Sequence, residues 1–438
     1  MADVRVALIL CGLAQLVFSV PPIKPQPEQI HISYPGVYGS MVITWTTEDK
    51  VDSVVEYSQW GGKFLDQTAK GSSVVFEDGG SEKRKMYIHR VTLSDLKPGS
   101  TYVYHCGSDA GWSDLFYFTA LDESVHWSPK FAVYGDMGNE NPQSLAQLQK
   151  DTQARMYDVI LHVGDFAYDM DEDNARIGDE FMRQVESIAA YVPYMTCPGN
   201  HEQAYNFSNY RNRFSMPGDT ESLWYSWNIG PVHIVSFSTE LFFYLNYGLD
   251  LVFKQYEWLK KDLEEAAKPE NRALRPWIIT MGHRPMYCSN ADRDDCTKFE
   301  SYVRTGRNDT TPPVPGLEDL FYKFGVDLEL WAHEHSYERL WPVYGYKVYN
   351  GSVEHPYVNP KAPVHIITGS AGCRERTDPF IPTPRDWSAF RSSDYGYARM
   401  QVFNSSHLYL EQVSDDQDSK VIDSMWLVKE KHGPQAWL

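Results

Sequence analysis

Seven side chains of metal-binding type fall in five short motifs between Asp136 and His335, in the order Asp, Asp-x-x-Tyr, Asn, His and His-x-His. The motifs read GDMG (Asp136), GDFAY (Asp165 and Tyr168), GNHE (Asn200, followed by His201), GHRPMY (His283) and AHEHSYER (His333 and His335). His333 and His335 are two apart, so an extended chain projects both imidazoles to one side, whereas on a helix they would diverge by about 200°. Asp165 and Tyr168, three apart on a turn, are near enough to share an ion. Seven ligands exceed what one tetrahedral ion takes, and one bridging carboxylate would give each of two ions four protein ligands. The expected chemistry is that of a binuclear metal centre.

Such a centre needs elements that bring distant residues to one place. Each motif follows an apolar run: KFAVYG, DVILHVG, YVPYMTCPG, PWIITMG and VDLELWA. Short runs of this kind, rich in β-branched and aromatic residues, predict buried strands. Ligands of α/β sheets collect beyond the carboxyl ends of the strands, so five strands would deliver all seven groups to one edge. Singly, a Gly-Asp after a strand is an ordinary turn or cap, and a lone histidine is often satisfied by a backbone carbonyl. The ordered set of five carries the expectation.

In that order the motifs resemble those of the purple acid phosphatases, within the calcineurin-like metallophosphoesterase superfamily. GDxxD and GNH would place only the superfamily; the tyrosine three after Asp165 marks the purple subgroup. The resemblance implies an α/β domain of two packed mixed β-sheets flanked by helices over 128–414, with 415–438 as a tail. It implies that Asp136, Asp165, Tyr168 and His335 hold one ferric ion. Asp165 as bridge, Asn200, His283 and His333 would hold a divalent ion, usually zinc but also iron or manganese. It further implies hydrolysis of phosphate monoesters at acidic pH, with a phosphodiesterase or nucleotide pyrophosphatase on the same scaffold as the nearest rival. An extracellular binding protein with a vestigial metal site is the alternative from another class. A monomer and a homodimer are both open.

The residue types agree with that partition. A phenolate with two carboxylates and one imidazole favours a hard trivalent ion, and two imidazoles with an amide oxygen suit a borderline divalent one. Roughly +5 from such ions, −3 from Asp136, Asp165 and Tyr168 and −1 from a bridging hydroxide leave about +1, enough to draw a phosphate. His201 is the candidate catalytic residue, to stabilise the phosphoryl group or protonate the leaving oxygen, and Glu202 is expected to support it. The family often has histidines about ten residues after the His283 position. Here stands Ser289-Asn290-Ala291-Asp292-Arg293-Asp294-Asp295, so protonation falls more heavily on His201. Arg284 and Arg293 are candidate phosphate contacts or plain surface arginines.

Residues 26–122 read as all-β: MVITWTT, SVVEYSQ, YIHRVTL, TYVYHCGS and DLFYFTA alternate and are separated by turn residues. Trp45 and the run Leu96-Lys97-Pro98-Gly99-Ser100-Thr101-Tyr102 resemble a fibronectin type III sandwich and its tyrosine corner. Residues 1–19, with an apolar run from Val6 to Phe18, read as a signal peptide too short to span a membrane. No other segment has eighteen uninterrupted apolar residues, so stable membrane insertion is not expected. Acceptor sequons at Asn206, Asn308, Asn350 and Asn404 point to a glycoprotein that is secreted or in the lysosomal lumen. Cys288 and Cys296 flank one loop and are the expected disulfide; without Cys11 the cysteine count is odd. A net charge of −19 argues against nucleic acid as a partner.

Overall fold

In the computed structural model the described residues are 24–437, and the leader expected over 1–19, with Cys11, lies outside them. The alternating runs near the start form two antiparallel sheets. Glu28–Ser33, Met41–Thr47, Lys85–Leu93 and Ser72–Glu77 lie side by side in one. Gln67–Lys70, Val54–Gln59, Thr101–Ser108 and Gly111–Trp112 form the other, where Phe116–Thr119 also pairs with Thr101–Ser108. Inward positions such as Ile32, Ile43, Val55, Val91, Tyr104 and Phe118 make its core. Trp45 is fully buried there and stacks on His89 with ring centroids 4.9 Å apart. The Tyr102 hydroxyl accepts the Lys97 N–H at 2.9 Å, the corner that tyrosine makes in such sandwiches.

The sandwich seats on the helix Glu172–Ala189. Tyr104 donates to the Ala190 carbonyl at 2.7 Å, and the Ile30 N–H donates to Glu186 at 2.9 Å. Arg213, also buried, donates to Asp179 and to Gln29, each at 2.9 Å. A charge removed from water in this way is tolerable because every partner is in place.

The rest of the chain is built on two mixed sheets. One orders its strands Tyr194–Cys197, Val159–Val163, Lys130–Tyr134, Gly396–Val402, His407–Ser414 and Lys420–Val428. Its first three strands are parallel and the last three antiparallel. The second orders Tyr225–Ile229, Val232–Ser236, Trp277–Met281, Leu328–Trp331, Val364–Thr368, Tyr337–Leu340 and Ser388–Ser392. Its four inner strands, from Val232–Ser236 to Val364–Thr368, run parallel. Side chains of both sheets, among them Phe131, Val133, Ile160, Ile234, Ile279 and Leu330, share one buried cluster. All five runs before the metal-type motifs are therefore strands. They split three and two between the sheets, so the shared edge belongs to the packed pair.

The tail expected over 415–438 is instead the margin of the first sheet. Lys420–Val428 pairs along His407–Ser414, with Met425 and Leu427 buried and Ser424 and Trp426 exposed. Beyond it, buried Lys429 pairs with buried Asp327, so this end is pinned to the second sheet as well. Among the described residues no helix is long and apolar enough to cross a membrane.

Candidate metal centre

The ligand-bearing turns are conformationally unusual. Asp136, Asp165, Tyr168 and His333 have φ of 58°, 53°, 54° and 69°. Residues other than glycine seldom occupy this left-handed region, and those that do gather at functional sites. The glycines just before Asp165 and Asn200 are demanded by what packs on them. A Cβ on Gly164, whose φ is +85°, would lie 2.6 Å from His283 Nδ1, and one on Gly199 would lie 2.2 Å from Asp165 Oδ1. Only a bare backbone lets the ligands approach so closely.

Two adjoining groups of donors result. In one, the Tyr168 oxygen is 3.0 Å from Asp136 Oδ1 and 2.9 Å from His335 Nε2. In the other, His283 Nε2 lies 3.0 Å from Asp165 Oδ2, 3.2 Å from Asn200 Oδ1 and 3.2 Å from His333 Nδ1. The His333 N–H donates to Asp136 Oδ2 at 2.9 Å and ties the groups together. The structure thus brings together all seven residues singled out in the sequence.

Tautomers test whether cations fit. His283 Nδ1 donates to the Val163 carbonyl at 2.8 Å and His335 Nδ1 to the Arg376 carbonyl at 2.9 Å, so each presents the lone pair of Nε2 inward. His333 Nε2 lies between Asp294 Oδ2 at 2.5 Å, which only accepts, and Arg284 Nη1 at 3.0 Å, which only donates. The shorter carboxylate contact puts the proton on Nε2 and leaves the Nδ1 lone pair inward. Three imidazole lone pairs, two carboxylates, an amide oxygen and a phenol oxygen then face one another with almost no hydrogen to share. Such a set is unfavourable by itself and is completed by cations. The electrostatics favour positive charge here, a proton where no ion is bound: burial disfavours the charged form of His283, yet Asp165 and Asp136 override it and raise its pKa to about 9. Burial likewise pushes Asp165 up, but His283 and His201 outweigh it and hold the carboxyl well below its ordinary range.

A second layer fixes these ligands, and much of it was not singled out in the sequence. Glu202 accepts the N–H groups of Asp165, Phe166 and Gly199 at 2.9, 2.9 and 2.8 Å, clamping two ligand turns together, in keeping with its expected supporting place. Asp378 Oδ2 accepts the His335 N–H at 2.8 Å. Glu240 holds Arg284 at 3.0 and 3.1 Å, so Arg284 braces the His333 side and is not a free phosphate contact; Arg293 is exposed. Asp294 is the residue a sequence signal could have found, since it stands in the loop that lacks the family's histidine. Carboxylate partners of ligating histidines typically contribute about 10- to 100-fold in metal affinity. Asp294→Ala is therefore expected to weaken the ion at His283 and His333 by about that factor while sparing the ion at Tyr168. Element analysis during chelator titration measures both; equal retention of both ions in the variant would contradict the role.

His201 stands beside the donors. Its Nδ1 donates to Asp169 Oδ1 at 2.7 Å, its ring lies 4.3 Å from that of Tyr168, and its N–H donates to Asp165 Oδ1 at 2.9 Å. The remaining nitrogen, Nε2, is 3.8 Å from Glu375 Oε1. The expected bridge Cys288–Cys296 is formed, and Cys106, Cys197 and Cys373 are buried free thiols.

Known proteins resemble this chain across nearly its whole length. Residues 27–120 match the purple acid phosphatase N-terminal domain, 129–337 the calcineurin-like phosphoesterases, and 362–424 the iron/zinc purple acid phosphatase-like protein C domain. Acid phosphatase type 7 of Danio rerio is 74% identical over 422 residues, covering 96% of this chain and 95% of the relative. The Homo sapiens protein of that name is 60% identical over 412 residues, covering 94% and 93%. Fe(3+)-Zn(2+) purple acid phosphatase 12 of Arabidopsis thaliana is 30% identical over 438 residues, covering 94% and 86%. Purple acid phosphatase PPD1 from yellow lupin (Lupinus luteus) seeds has the same fold, with a TM-score of 0.77 at 24% identity over 92% of this chain and 75% of that one. Sandwich, paired sheets, a set of donors suited to a binuclear centre and similarity over nearly the full length converge, and the chain belongs to the purple acid phosphatase family.

Proposed function

We propose that the protein is an acid phosphatase that hydrolyses phosphate monoesters at one ferric and one divalent ion, the latter zinc or else iron or manganese. The observation that carries this reading is the convergence of seven lone-pair atoms with almost no hydrogen between them. Asp136, Tyr168 and His335 would hold the ferric ion and Asn200, His283 and His333 the divalent ion, with Asp165 as the ligand they would share. Two ions bound there would supply a clamp for phosphate and an acidified water for the attack. His201, with Nδ1 committed to Asp169, has Nε2 left to protonate the leaving oxygen. Glu202 and Asp294 hold the ligands in place, so little reorganisation accompanies reaction.

The chain acts in the secretory route, as a secreted or lysosomal glycoprotein. Support comes from the leader-like residues 1–19, the Cys288–Cys296 bridge, and sequons that include exposed Asn308 and Asn404. Asn206 and Asn350 are half-buried.

Purified protein should carry two metal ions per chain and cleave a monoester in preference to a diester at acidic pH. Metal-loaded protein that prefers the diester, or cleaves neither, would overturn the proposal. A phenolate on ferric iron absorbs visible light, so Tyr168→Phe is expected to lose the colour while keeping iron. Absorbance spectra with element analysis check this; unchanged colour in an iron-loaded variant would remove Tyr168 from the iron site.

A further inference from the structure

Behind the His333–His335 turn lies a second set of oxygen ligands, of which the phosphatase reading uses only Asp378, as the acceptor of the His335 N–H. Glu334 is 0% exposed. Its Oε2 has no hydrogen-bond partner, and its Oε1 lies 2.9 Å from Cys296 Sγ. That sulfur belongs to the Cys288–Cys296 disulfide and has no proton to give. A fully buried carboxylate without a donor is among the costliest arrangements a fold can hold. Something positive must meet it.

The neighbouring chain supplies the other ligands. Asn290 and Phe380 bridge in antiparallel sense, flanked by the Ala291 N–H to Pro379 and Ile381 N–H to Ser289 bonds at 2.8 and 3.0 Å. Continuing that register sets Asp292 opposite Asp378. Carboxylate oxygens of Asp292, Glu334 and Asp378 all lie within 4.8 Å of one another. Oxygens sharing one calcium ion, each at about 2.3–2.6 Å, are at most about 5 Å apart. Asp292 Oδ1 already accepts from Asp294 N and Thr297 Oγ1 at 3.0 and 3.1 Å, while its carboxylate also meets that of Glu334, where a proton or a cation must lie between them. Asp292 is exposed and Asp378 half-buried, so an ion and its waters have a way in.

We propose that Asp292, Glu334 and Asp378 bind a third cation, a calcium ion, at a site separate from the binuclear centre. An all-oxygen set with three carboxylates and an open side for water suits calcium better than magnesium, which is reluctant to shed water. The ion would neutralise Glu334 and join the 289–292 and 378–381 segments. It would also steady Asp378, which accepts the His335 N–H. The competing arrangement is a proton shared between Glu334 and Asp292.

The test uses full-length holoenzyme with both active-site ions in place, dialysed over chelating resin and equilibrated with calcium chloride. One calcium per chain is expected beyond the two other metals, with Kd on the order of 10⁻³ M or tighter, and a higher Tm when it binds. Asp292→Asn should weaken calcium binding by about tenfold or more, leaving iron and the second metal unchanged. Glu334→Gln should abolish the calcium-dependent rise in Tm. Wild-type protein that takes up no calcium at several times about 10⁻³ M, or Asp292→Asn that binds it as wild type does, would overturn the proposal. None of these readouts depends on phosphatase activity.

Discussion

Asp165→Ala is expected to remove both ions from the centre and to lower kcat/KM by at least about 10³-fold, since the charge stabilisation of the reaction goes with them. Asp165 faces His283 Nε2 at 3.0 Å through Oδ2 and receives the His201 N–H at 2.9 Å through Oδ1, and as the proposed bridge it would serve both ions. In that role its loss would take a ligand from each ion and the negative charge that offsets their mutual repulsion. His283→Ala removes one ligand from the divalent side only, so the iron and its Tyr168 colour should remain. Asp165→Asn keeps the shape and the acceptor for His201, and separates loss of charge from loss of fold. Element analysis after gel filtration reads all three variants. If His283→Ala stripped the iron while Asp165→Ala kept both ions, the bridge would lie elsewhere.

The sequence made the convergence of the seven side chains legible because each of the five motifs follows a strand, and a buried strand announces itself as a short apolar run. The N-terminal sandwich was legible for a related reason, its alternation and the Tyr102 corner being local signals. What stayed hidden is non-local. Glu202 clamps turns from two strands, and Asp294 reaches His333 from a loop 39 residues earlier. No local period encodes such contacts. Lys420–Val428 was missed because it is a sheet margin with one wet face: Val421 and Trp426 point to solvent, so the apolar and polar positions mix. The partition of the five strands between two sheets was likewise invisible to pattern, since each run reads the same whichever sheet takes it.

His201→Ala should lower kcat by about 10²- to 10⁴-fold on a substrate with a poor leaving group, with both metals retained. The histidine touches no metal ligand through its ring except by packing on Tyr168, and its Nδ1 is committed to Asp169, so Nε2 alone is available for the leaving oxygen. A substrate whose leaving group needs no proton, such as a nitrophenolate, should lose much less. The pH dependence supplies an independent sign. Burial works against the imidazolium, but Asp165 and Asp169 override it and raise the pKa to about 10, a value that bound cations would lower. A general acid works below its pKa and fails above it, so His201 should set the alkaline limb of the profile for poor leaving groups. That limb should disappear in His201→Ala and shift to lower pH in Asp169→Asn, which keeps the hydrogen-bond acceptor but loses the charge. A residue that only oriented Asn200 would instead show metal loss, with equal effects on good and poor leaving groups. Full metal content with near-normal kcat on the poor leaving group would take the proton away from His201 altogether.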